Sequence, residues 1–148
     1  MSLIVLLLLL LSSVTPFSFP QSFTIQGEVR FEGNGTVFVA LVDRESFRKP
    51  EKGIAYLEFP FAQNGNENTI GPSKVTFSFR QVPAGTYAII CYLDANGNGK
   101  LDSSLFGPTE PWGMSFRGNR PRFRAPRFED ASFMVPENIR YFAIELGK

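Results

Sequence analysis

Apolar and polar residues alternate at the start of the chain, where Phe23, Ile25, Val29 and Phe31 are interleaved with Thr24, Glu28 and Arg30. Period two places one face of a strand in a core and the other in water. Val75, Phe77 and Phe79 repeat the pattern against Thr76, Ser78 and Arg80. Two other runs, Val37 to Val42 and Tyr87 to Leu93, are continuously apolar. The first reads as a central strand covered on both faces, and the second as a strand that delivers Asp94 to the end of the sheet. Ile54 to Phe61 predicts a further strand, with Pro60 assigning it to a sheet edge because proline lacks a ladder N–H. Ala131, Phe133 and Val135 predict another, and 138–146 closes the pattern with Phe142, Ile144 and Leu146 on one face. Gly33-Asn34-Gly35 and Val82-Pro83-Ala84-Gly85 supply turns. Residues 44–53 and 64–72 read as polar loops, and 95–126 as one long irregular excursion.

No stretch carries a helical period. About seven strands in one chain predict an all-β fold, a single antiparallel β-sandwich with one long irregular loop. A small barrel is the second choice. With 148 residues and 43% hydrophobic content the chain builds one core, here placed over 21–148. The preceding 1–20 read as a signal peptide: Leu3 to Leu11 is unbroken and apolar, too short to span a bilayer comfortably, and Pro16 follows shortly after. Export to the periplasm, the cell surface or the medium is the expectation. An uncleaved anchor is its alternative.

Composition then removes chemistry. The chain has no histidine, which excludes Ser-His-Asp and Cys-His catalysis and zinc sites of the His-Glu-x-x-His type. Its single cysteine, Cys91, lies in an apolar run and reads as a buried hydrophobe, not as a thiol for catalysis or zinc. A net charge of +1 gives no reason to expect nucleic acid. Gly99-Lys100 lacks the glycine spacing of a phosphate-binding loop.

One segment carries positive chemistry. Residues 94–102 read Asp-Ala-Asn-Gly-Asn-Gly-Lys-Leu-Asp, with side-chain oxygens at Asp94, Asn96 and Asn98 on alternate positions. The Lys100 carbonyl and Asp102 complete the nine-residue pattern that begins an EF-hand-type calcium loop. Position twelve is Leu105 where such a loop has its bidentate glutamate, so the closing carboxylate comes from elsewhere. Glu110 is the first candidate and Asp130 the weaker one. The competing reading is an Asn-Gly turn that binds nothing. A cage with so few carboxylates predicts weak calcium binding.

Several phrases together resemble a known family. These are Phe79 to Ala88 with its Val82-Pro83-Ala84-Gly85-Thr86-Tyr87 core, Asp94 to Asp102, Gly107 to Ser115, and Pro126 to Phe133. In this order they are similar to the exported bacterial proteins grouped as domain-of-unknown-function family 2141. The resemblance implies a periplasmic or surface-exposed sandwich of Ig-like or transthyretin-like type, with no established activity. Within it, 115–130 departs from the family pattern: Arg117, Arg120, Arg122, Arg124 and Arg127 are interleaved with Phe116, Phe123 and Phe128. Such a segment reads as a solvated loop whose phenylalanines tuck into the sandwich, or as a surface for cell-surface polyanions.

Three functions follow from these residues. The leading one is a non-catalytic exported module with calcium in the 94–102 loop. A hydrolase using the carboxylates of Asp94, Asp102 and Glu110 is the second. Polyanion binding through Arg117 to Arg127 is the third.

Overall fold

The computed structural model describes residues 21–61 and 72–147. The leader expected over 1–20 and the loop expected over 64–72 lie outside the described residues, apart from Pro72. Among the described residues the strands are β1 (Ser22–Phe31), β2 (Gly35–Val42), β3 (Ala55–Phe61), β4 (Ser73–Pro83) and β5 (Gly85–Asp94). There follow β6 (Ser103–Ser104), β7 (Gly107–Pro108), β8 (Trp112–Met114), a four-residue helix α1 (Phe128–Ala131), β9 (Phe133–Val135) and β10 (Phe142–Glu145).

The long strands form two sheets. One has the order β10-β1-β4; the other has the order β3-β2-β5-β8, with β9 also pairing β5. Their inner faces meet as the alternation requires. Ile25, Val29 and Phe31 of β1 and Phe77 and Phe79 of β4 pack against Val37, Val39 and Leu41 of β2 and Ile89, Cys91 and Leu93 of β5. Each fully buried aliphatic or aromatic side chain contributes about 1.5–3 kcal/mol, and the set makes this layer the main source of stability. The strand containing Pro60 lies at a sheet edge, as its missing N–H predicts.

The uninterrupted apolar run of β2 has the cause expected of it, and the structure gives that of β5 the same cause. Their outward residues Ala40, Val42, Ala88 and Ile90 are covered by Phe128 and Ala131 of α1, and Phe38 and Tyr92 by Trp112. The covering layer is the excursion itself. Ser115, buried, binds it to the sheet: its hydroxyl accepts from Ile89 N–H at 2.8 Å and donates to the Ala131 carbonyl at 2.7 Å.

Three details differ from the sequence reading. The pair β1–β10 is parallel, so the sandwich is mixed and not purely antiparallel. Ala131 ends a helix instead of opening a strand, and β9 begins at Phe133. The excursion also contains the short strands β6, β7 and β8, which raises the number above seven. Gly27, which interrupts the first alternation, is explained by space: a Cβ there would stand 2.3 Å from the Phe142 carbonyl oxygen and 2.5 Å from the Phe77 ring.

Candidate metal loop and the adjoining groove

Asp94 is the last residue of β5, and pairing with Thr36 fixes its backbone in the sheet. Its carboxylate is buried and turns back into the loop that follows. Oδ1 accepts from Gly97 N–H at 2.7 Å and from Asn98 N–H at 3.2 Å, and Oδ2 from Gly99 N–H at 2.7 Å. The chain wraps around one side chain in this way only because Gly97 and Gly99 take positive φ, 75° and 76°.

The remaining oxygen-bearing side chains meet on the outside of that turn. Asn96 and Asn98 each donate an amide N–H to Asp102 Oδ2, at 2.6 and 2.8 Å. Their own Oδ1 atoms accept from Asn98 N–H at 3.1 Å and Lys100 N–H at 3.0 Å. The two Asn98 and Asn96 amides, together with the Lys100 charge, hold the Asp102 carboxyl below its ordinary value. Two amide donors thus occupy the side of Asp102 on which a cation would sit.

Glu110 closes the loop. It is buried, and its two oxygens reach the two ends of the segment: Oε1 accepts from Ala95 N–H at 2.9 Å and Oε2 from Asp102 N–H at 3.1 Å. Thr109 N–H adds a bond of 2.9 Å to the Asp102 carbonyl. Asp130, the weaker candidate for the closing carboxylate, is not part of this arrangement. It forms a two-pronged ion pair with Arg124, at 2.6 and 2.7 Å, and accepts from Arg127 N–H. Those donors, Arg124 first, push its carboxyl strongly down. Among the described residues no group of three His, Cys, Asp or Glu side chains is placed to hold a metal. A cation in this loop therefore depends on amide and carbonyl oxygens as well as carboxylates.

A tyrosine pair that the sequence reading missed anchors the loop from below. The Tyr92 hydroxyl donates to the Gly99 carbonyl at 3.4 Å and lies 2.8 Å from the Tyr56 hydroxyl. Burial raises both phenols above their ordinary values. Two lone tyrosines 36 positions apart give no local signal; only the register of β2 between β3 and β5 makes them neighbours. Cys91 is buried in the core and its thiol is pushed up by desolvation, in keeping with a packing role.

Beyond the loop, β6 and β7 form a small hairpin with Leu105 and Phe106 at its tip. Opposite it runs the arginine segment, and between them lies a groove lined by Leu101, Trp112, Arg120 and Arg122 among others. Arg120 stacks on the Trp112 ring, 3.5 Å from its centroid, and donates to the Gly147 carbonyl at 3.2 Å. Arg117 donates to the Ser132 carbonyl at 2.8 Å and to Asn138 at 3.2 Å. Phe128 is buried and Phe116 packs beside Trp112, as a tucked-in loop requires, whereas Phe123 is fully exposed.

No described helix is long and apolar enough to cross a membrane. No curated protein and no solved structure matches the chain. The profile of a family described as "Uncharacterized protein conserved in bacteria (DUF2141)" matches residues 29–141, from the end of β1 to the residue before β10, with the Asp94 loop and the covering layer between them. The chain therefore belongs to the DUF2141 family.

Proposed function

We propose that the protein is an exported, non-catalytic β-sandwich module, periplasmic or at the cell surface, that binds calcium in the loop from Asp94 to Asp102. The observation that carries this reading is the convergence of Asn96 and Asn98 on the Asp102 carboxylate, above a turn already wound around Asp94. A calcium ion replaces the two amide protons at that point. Each asparagine turns its amide so that oxygen faces inward, and the Lys100 carbonyl joins the shell. Glu110 either remains the strap between Ala95 and Asp102 or releases one oxygen to the ion.

The hydrolase reading has less support. Asp94 and Glu110 are both occupied by backbone N–H donors. None of Asp94, Asp102 and Glu110 lines the groove. General acid–base work needs a carboxyl within reach of substrate. The export half of the proposal rests on the apolar run Leu3 to Leu11.

With two carboxylates in the loop, affinity falls in the range of extracellular modules, about 10⁻⁵ to 10⁻³ M. At millimolar calcium a site of about 10⁻⁴ M adds roughly 1.4 kcal/mol by mass action. The test is thermal melting and calorimetric titration with calcium, magnesium and chelator. Calcium raises the melting temperature and magnesium does so poorly, because it gives up water reluctantly. Asp102→Asn, at a partly exposed position outside the core, removes the shift and leaves the fold. An equal shift in that variant, or none in the parent, makes the loop a turn only.

A further inference from the structure

We propose that the groove beside the loop is a docking surface for an anionic phospholipid membrane, with Leu105, Phe106 and Phe123 entering the interface and Arg122 meeting the headgroups. The proposal stands independently of calcium. It rests first on exposure. Leu105, Phe106 and Phe123 show essentially all of their surface to solvent, and all three line the same groove from opposite sides. The hairpin tip makes the choice of residues more pointed. A two-residue β-turn is ordinarily filled by Asn, Asp or Gly, for conformational reasons and for solubility. Here the tip residues are Leu and Phe, while Gly107 with its φ of 113° follows them.

Charge is the second observation. Among the described residues the groove is lined by Arg120, Arg122 and Arg124 and by no Asp or Glu. Arg124 is neutralised by Asp130 and Arg120 is held on Trp112, while Arg122 is exposed with no partner among the described residues. Exposed apolar tips flanked by arginine are the composition of an interfacial anchor: the apolar groups sit at the acyl boundary and the cations at the phosphates. A folded protein partner fits less well. A protein interface must fix each such free side chain in one rotamer, at about 0.5–1.5 kcal/mol each. Among the described residues Phe106 and Phe123 are left fully exposed, and a fluid interface accepts them without a fixed geometry.

The experiment is co-sedimentation of the folded protein with phosphatidylglycerol or phosphatidylcholine vesicles, in chelator and at 0.1 M salt. Binding to the anionic vesicles is expected to be at least about tenfold tighter than to the zwitterionic ones. The double variant Phe106→Ser/Phe123→Ser should lose about tenfold or more of that binding. Its melting temperature should be unchanged, since neither side chain is packed. Arg122→Ser should weaken binding and flatten its salt dependence. Soluble heparin and sedimentation equilibrium distinguish the other occupants. Vesicle binding that is abolished by heparin yet indifferent to the double variant overturns the proposal in favour of a soluble polyanion. A dimer that the double variant splits, with no binding to vesicles, overturns it in favour of a second copy. No partition to anionic vesicles overturns it outright.

Discussion

Replacing Glu110 by glutamine is the most informative single perturbation of the loop. The side chain keeps its length and burial, but one of its two acceptor oxygens becomes an NH2 group. Glu110 accepts from Ala95 N–H at 2.9 Å and from Asp102 N–H at 3.1 Å, so in the variant one donor faces another donor. The surviving bond also changes from a charge-assisted to a neutral one. A hydrogen bond to a charged group contributes about 1.5–3 kcal/mol and a neutral one about 1 kcal/mol. Losing one and weakening the other costs about 2–4 kcal/mol. For a domain of this size each kcal/mol moves the melting temperature by roughly 3–5 °C, which predicts a fall of about 6–20 °C. The assay is calorimetric melting in chelator, so that no cation contributes. Amide exchange gives a local check: the Ala95 and Asp102 N–H groups lose protection before those of β5. A variant that melts within about 2 °C of the parent, with both amides still protected, would show that the strap carries no energy.

Two further outcomes test other parts of the reasoning. Gly27→Ala forces a methyl group to within 2.3 Å of the Phe142 carbonyl oxygen and should cost about 3 kcal/mol by separating β1 from β10, read as a lower denaturation midpoint; an unchanged midpoint refutes the close packing. The Asp130 carboxyl is held down by Arg124 and the Arg127 N–H, so its stabilisation is present above its unfolded value near about 3.9 and is lost as pH falls toward the depressed folded value. Asp130→Asn should therefore lower the melting temperature at neutral pH and shallow its decline below about pH 4; a decline as steep as the parent's assigns acid sensitivity elsewhere.

Which features were legible in the sequence follows from the range of the forces that produce them. Val75, Phe77 and Phe79 announce β4 because burial of one face is written locally at period two. β2 announces its double coverage as locally, through an unbroken apolar run. Nothing local announces what covers it, because α1 is four residues long and too short to show a 3.6-residue period. The parallel partner of β1 lies more than a hundred positions away, and parallel pairing leaves no turn signature between the strands. At the site, the alternation of Asp94, Asn96 and Asn98 was readable because a cation cage and a glycine turn are both local designs. Glu110 could be picked out as a nearby carboxylate, but its bonds to Ala95 and Asp102 depend on how β8 brings the chain back. Asp130, the weaker candidate, pairs instead with Arg124, which becomes its neighbour only when α1 forms.

The strand registers also give the domain two unlike poles. Ser22 pairs with Pro83 and Gly85 with Val135 at one pole, while Phe31, Thr36, Asp94 and Gly147 gather at the other. The start of the Asp94 loop therefore stands a full β1 length from residue 21, about 30 Å at 3.3 Å per residue. A fusion after Gly147 crowds the Arg120 contact, whereas one before Gln21 leaves the whole site clear.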